Sequence, residues 1–70
     1  MLSLSDITEL KREIKSRFGA ELHFHDVCPR PYFTIEKTDK DIESFISEFL
    51  DRRKYHPKFS ENHLQFTVER

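Results

Sequence analysis

Two histidines and the only cysteine of this chain lie close together, in the pattern His23-x-His25-x-x-Cys28. Imidazole nitrogens and a thiolate are ligands that suit Zn²⁺ or Cu⁺. Residues two apart on an extended strand point to the same side, so His23 and His25 can chelate one ion. The pattern therefore offers a Zn or Cu site at His23, His25 and Cys28, with His63 as a third imidazole if its strand neighbours the first.

Two features of the sequence argue against a metal cofactor. The spacing is not that of a zinc finger, and no second Cys/His pair follows it. Histidines also fill alternate polar positions on open sheet faces without binding anything. We therefore expect no cofactor and keep metal binding as the alternative hypothesis.

The residue pattern does not favour catalysis. A nucleophilic thiol needs a nearby base or an electropositive surrounding. His25 lies three residues before Cys28, and on a strand that spacing points the two side chains to opposite faces. Pro29 and Pro31 remove backbone donors from the following loop. With one glycine in the chain, phosphate-binding loops are excluded. The sequence predicts no enzyme activity.

Composition restricts the partners and the compartment. Twelve Lys and Arg residues against 13 Asp and Glu residues give a formal net charge of −1, which argues against a nucleic-acid partner. One cysteine cannot form an intramolecular disulfide, which fits a reducing cytoplasm. The amino-terminal residues lack the basic and apolar regions of a signal peptide. No apolar run approaches the ~20 residues that span a bilayer, so we expect no membrane partner.

Apolar residues recur at helical spacing in two stretches. Residues 3–18 form the first predicted helix, which Ser3 or Ser5 can cap and Gly19 can end in a left-handed conformation. The second predicted helix begins at residues 38–41, with Thr38 as its predicted cap, and has Arg52, Arg53 and Lys54 at its C-terminal end. The predicted buried stripes are Ile7, Leu10, Ile14 and Phe18 in the first helix, and Ile42, Phe45, Ile46, Phe49 and Leu50 in the second.

Alternating residues predict three strands, at 20–27, 32–36 and 63–69. Residues 55–62, which contain Pro57, are predicted as a loop, with Phe59 folded back on the core. The order αββαβ indicates one α+β domain over residues 1–70, with a three-stranded mixed sheet and both helices on one face. A right-handed crossover is expected if the second and third strands are parallel.

The other sheet face has no layer left to cover it. A half-polar, uncovered face is either solvated or meets a partner. We therefore predict a small cytoplasmic protein-interaction or regulatory module, acting as a homodimer or as a subunit of a complex. The predicted binding face comprises His23, His25, Tyr32, Thr34, His63 and Gln65, together with Thr67.

The segments Leu22-His23-Phe24-His25-Asp26-Val27-Cys28 and Tyr32-Phe33-Thr34-Ile35-Glu36 resemble a group of small bacterial proteins named for an Arg-Asp-Ala-Cys tetrapeptide. The resemblance extends loosely from Glu21 to Val68 and is specific at Asp26 and Cys28. This chain departs from the tetrapeptide at His25 and Val27, and it has Pro29 where glycine is more typical. The resemblance implies a bacterial origin and assigns no activity.

Overall fold

A computed structural model describes residues 2–70 of the chain. Within that range the chain forms two helices and four strands, in the order αββαββ. The elements are α1 (Leu4–Phe18), β1 (Leu22–His25), β2 (Tyr32–Ile35), α2 (Lys40–Asp51), β3 (His56–Phe59) and β4 (Gln65–Glu69). The α+β class predicted from the sequence is confirmed.

The strands of residues 2–70 form one sheet in the order β1-β2-β4-β3, and every neighbouring pair is antiparallel. The predicted three-stranded mixed sheet is therefore wrong in strand number and direction. The missing strand is β3, which lies in the segment predicted as a loop because of Pro57. An outer strand tolerates proline, since half of its backbone groups face away from the ladder.

The additional strand also changes where the last strand begins and in which direction it runs. β3 and β4 form a hairpin, and its turn includes His63, whose φ of 61° is left-handed. The last strand therefore begins at Gln65, two residues later than predicted. Leu64 is not a core residue, since it is 36% exposed. Because β3 reverses the chain, β4 runs antiparallel to β2, and the expectation of a parallel crossover does not apply.

Side-chain and backbone hydrogen bonds set the helix limits. The Ser3 side chain accepts a hydrogen bond from the Asp6 N–H at the start of α1. Asp39, not Thr38, caps α2, and its carboxylate accepts from the Ile42 N–H. The prediction for Thr38 is wrong because a carboxylate one residue later takes the same role.

Gly19 ends α1 with a φ of 66°, and its N–H donates to the carbonyl oxygen of Lys15. No atom would contact a methyl group at this position, so backbone strain alone decides the effect of a substitution. We expect Gly19→Ala to lower the free energy of unfolding by about 1 kcal/mol, measured by urea denaturation. An unchanged midpoint of urea denaturation would show that a side chain at position 19 does not strain the left-handed cap.

A row of phenylalanines crosses the sheet on the helix side. Phe24, Phe33, Phe66 and Phe59 are register partners in β1, β2, β4 and β3. Successive ring centroids are 4.9, 4.9 and 5.4 Å apart. Phe59 packs against the core as predicted. Both helices cover this face, and their fully buried contributions are Leu10, Ile14, Ile42, Ile46 and Leu50.

Arg53, just after α2, connects the two helices. Its Nε donates to Asp6 Oδ1 at 2.8 Å and its Nη2 to Glu9 Oε2 at 3.1 Å, both on α1. Its Nη1 donates to the Phe49 carbonyl oxygen, and its Cζ lies 3.7 Å from the Phe49 ring centroid. The hydrogen bond from Arg53 lowers the pKa of Asp6 below its ordinary value of 3.8.

Candidate interaction surface

The face of the sheet opposite the helices is called the open face. Partners in antiparallel strands point to the same side, so the register defines its members. His23, Thr34 and Gln65 form one row across β1, β2 and β4. The open face comprises His23, His25, Tyr32, Thr34, His56, Lys58, Gln65, Thr67 and Glu69.

His25 contacts two neighbours on the open face. A hydrogen bond of 2.9 Å joins its Nε2 to Thr34 Oγ1. Its ring stacks on that of Tyr32, with centroids 4.6 Å apart and planes 13° from parallel. All three side chains are half-buried. Together they form a flat, preorganised patch with an aromatic surface and polar edges, which is typical of contact residues.

His63 does not lie on the open face. Its Nδ1 donates to Glu43 Oε1 of α2 at 3.0 Å, and its ring stacks on Phe59 with centroids 5.4 Å apart. Both contacts are on the helix side of the sheet. The predicted place of His63 in the binding face is therefore wrong, because the tight turn before β4 ends the alternation of the strand.

The three predicted metal ligands are only partly brought together. His23 and His25 share the open face, as the spacing predicts, but Cys28 is exposed in the loop after β1. Across residues 2–70, no group of three or more His, Cys, Asp or Glu side chains is close enough to hold a metal ion. The structure thus places two of the proposed ligands on one surface and does not assemble the full set.

The position of β1 at the outer edge of the sheet is a feature that its sequence pattern could not reveal. β1 and β3 are the two outer strands of the sheet. β3 carries Pro57 and Lys58, residue types that hinder pairing with a further strand. β1 has the sequence Leu-His-Phe-His, without proline or lysine. An edge strand can be recognised only from the strand order of the sheet, and the alternation of residues within one strand gives no information about that order.

The ladder shows which backbone groups of β1 point outward. The Glu36 N–H donates to the Glu21 carbonyl oxygen, so the Glu21–Glu36 pair is hydrogen-bonded. In an antiparallel ladder, hydrogen-bonded and non-hydrogen-bonded pairs alternate. His23 therefore bonds toward β2, whereas the N–H and C=O groups of Leu22 and Phe24 point to the outer edge. These four groups form a short pairing edge.

In comparisons with protein-family models, curated proteins and solved structures, nothing matches this chain. The resemblance at Asp26 and Cys28 therefore stays a prediction. None of the helices in residues 2–70 is both long and apolar enough to cross a bilayer.

Proposed function

We propose that this chain is a non-enzymatic protein-interaction module that acts as a homodimer in the cytoplasm. The observation that carries the proposal is the unprotected edge of β1, which lies beside the preorganised patch of the open face. β3, the opposite edge, carries the residues that block such pairing. The single cysteine supports a reducing compartment.

Antiparallel pairing of two β1 strands is self-complementary in one register. The two-fold axis is perpendicular to the sheet and passes midway between the two copies of His23. It pairs Leu22 of one copy with Phe24 of the other. The outward backbone groups of these residues then form four hydrogen bonds. Leu22 and Phe24 are both apolar and both on the helix side, so the pairing covers the exposed part of the half-buried Phe24 ring.

Size favours a second copy as the partner. A chain of 70 residues buries a smaller share of its surface than a larger domain, so its core gains from added contacts. Joining two β1 edges extends the phenylalanine row across both copies. It also makes the two open faces continuous, which doubles the contact surface available to a further partner.

His23→Lys is the variant that tests the interface. In the proposed register the two copies of residue 23 face each other across the axis, and like charges directly opposite are destabilising. We expect the dimer Kd to rise about fivefold, measured by sedimentation equilibrium over a range of concentrations. His23 is exposed, so the fold of the monomer should be unchanged.

Two matched variants distinguish a dimer interface at the β1 edge from one at the β3 edge or on the open face. His56→Lys changes an exposed histidine on the opposite edge strand, and Gln65→Lys changes an exposed residue in the middle of the open face. Both should leave the dimer Kd unchanged if β1 forms the interface. A larger effect from Gln65→Lys than from His23→Lys would assign the interface to the open face, and a wild-type monomer at all concentrations would contradict the proposal.

Metal binding by His23, His25 and Cys28 is the alternative function, supported by the shared face of the two histidines. Native mass spectrometry of the untagged protein, before and after a chelator, distinguishes the two. A metal-free dimer supports the interaction module. A stoichiometric metal that is lost together with the dimer would favour the alternative.

A further inference from the structure

A cleft of about 500 Å³ lies at one end of the sheet. It lies where the start of α1, the loop between β1 and β2, and the end of β4 meet. Its floor is apolar and includes Leu2, Ile7, Pro31, Phe33, Tyr55 and Val68. A volume of this size is in the range of small-molecule sites, which are mostly apolar with a few polar groups at defined positions.

The charged residues that line the cleft are two arginines and one glutamate, namely Arg30, Arg70 and Glu69. Arg30 Nη1 is 3.5 Å from Glu69 Oε2, a long and weak ion pair between partly exposed groups. A guanidinium has five N–H donors, so this contact leaves Arg30 with donors for a second acceptor. The Arg70 Cζ lies 5.8 Å from the Tyr55 ring centroid.

We propose that this cleft binds a small organic acid with an apolar chain. The chain lies on the floor formed by Phe33, Val68 and their neighbours. The carboxylate accepts hydrogen bonds from Arg30 at the rim and competes with Glu69 for its guanidinium. The combination of an apolar floor with two arginines and one glutamate in the lining favours this class over neutral chains and over small inorganic anions.

Hexanoate is a suitable probe, compared with hexanamide, which has the same chain without the charge, and acetate, which has the charge without the chain. Amide shifts followed by NMR titration of the full chain give a Kd for each probe. We expect shifts at Phe33 and Val68, and the tightest binding for hexanoate. Arg30→Gln should weaken hexanoate about threefold to tenfold, and Glu69→Gln should strengthen it.

Arg12→Gln is the matched control, since Arg12 is as exposed as Arg30 and lies on α1 without lining this cleft. It should leave the affinity unchanged. Equal binding of hexanamide, equal binding of acetate, or shifts that occur away from the cleft would each overturn the proposal. Unchanged affinity in both Arg30→Gln and Glu69→Gln would also overturn it.

Discussion

Phe66→Ala is expected to remove most of the free energy of unfolding of this protein. Phe66 is 1% exposed and lies between Phe33 and Phe59 in the phenylalanine row. Removing a buried phenylalanine ring costs about 3–5 kcal/mol. A domain of this size has a free energy of unfolding on the order of 5 kcal/mol. Urea denaturation followed by far-UV circular dichroism measures the loss.

Phe45→Ala is the matched control for the central ring. Phe45 lies on α2, is half-buried, and contacts Phe18 and Phe49 at centroid distances of 6.0 and 6.2 Å. Its removal exposes less new apolar surface and leaves a cavity that solvent can reach, so the loss should be about half as large. Equal losses at both positions would contradict a core centred on the phenylalanine row.

Arg53→Ala is expected to lower the free energy of unfolding by about 2 kcal/mol at neutral pH. The substitution removes the contacts of Arg53 to α1 and its stacking on Phe49. Charge-assisted hydrogen bonds contribute more than neutral ones, and the partial exposure of Arg53 reduces their effect. Thermal unfolding of the wild type and the variant gives the difference.

The effect of Arg53→Ala should depend on pH. Because the folded pKa of Asp6 is below its ordinary value of 3.8, the ion pair stabilises the fold fully above that value. The stabilisation is lost as the pH falls through the folded pKa, so the difference between wild type and variant should shrink in acid. In an Asp6→Asn background most of this pH dependence should disappear. A difference that is constant with pH in both backgrounds would contradict the pairing.

The helices could be predicted because their signals are local. The apolar stripes, the Ser3 cap and the left-handed Gly19 depend on residues a few positions apart. β3 could not be predicted in the same way, since Pro57 is a strong signal against a strand unless that strand is known to lie at the edge. The strand order of the sheet depends on contacts between residues distant in sequence. The parallel crossover was wrongly expected because β3, which reverses the chain before β4, was not predicted.

The candidate surface was also predictable only where the signal is local. The alternation in β1 and β2 correctly placed His23, His25, Tyr32 and Thr34 on one face. It failed for His63, because a tight turn redirects that side chain toward α2. The edge of β1 and the cleft beside Arg30 arise from the assembly of several elements, so no single stretch of sequence indicates them.

Amide hydrogen exchange of β1 tests the proposed dimer most directly. The N–H groups of Leu22 and Phe24 point to the outer edge, whereas that of His23 is bonded to β2 and serves as an internal reference. We expect the protection of Leu22 and Phe24 to rise with protein concentration while that of His23 changes little. Rapid exchange of Leu22 and Phe24 at every concentration, with His23 protected, would contradict pairing through β1.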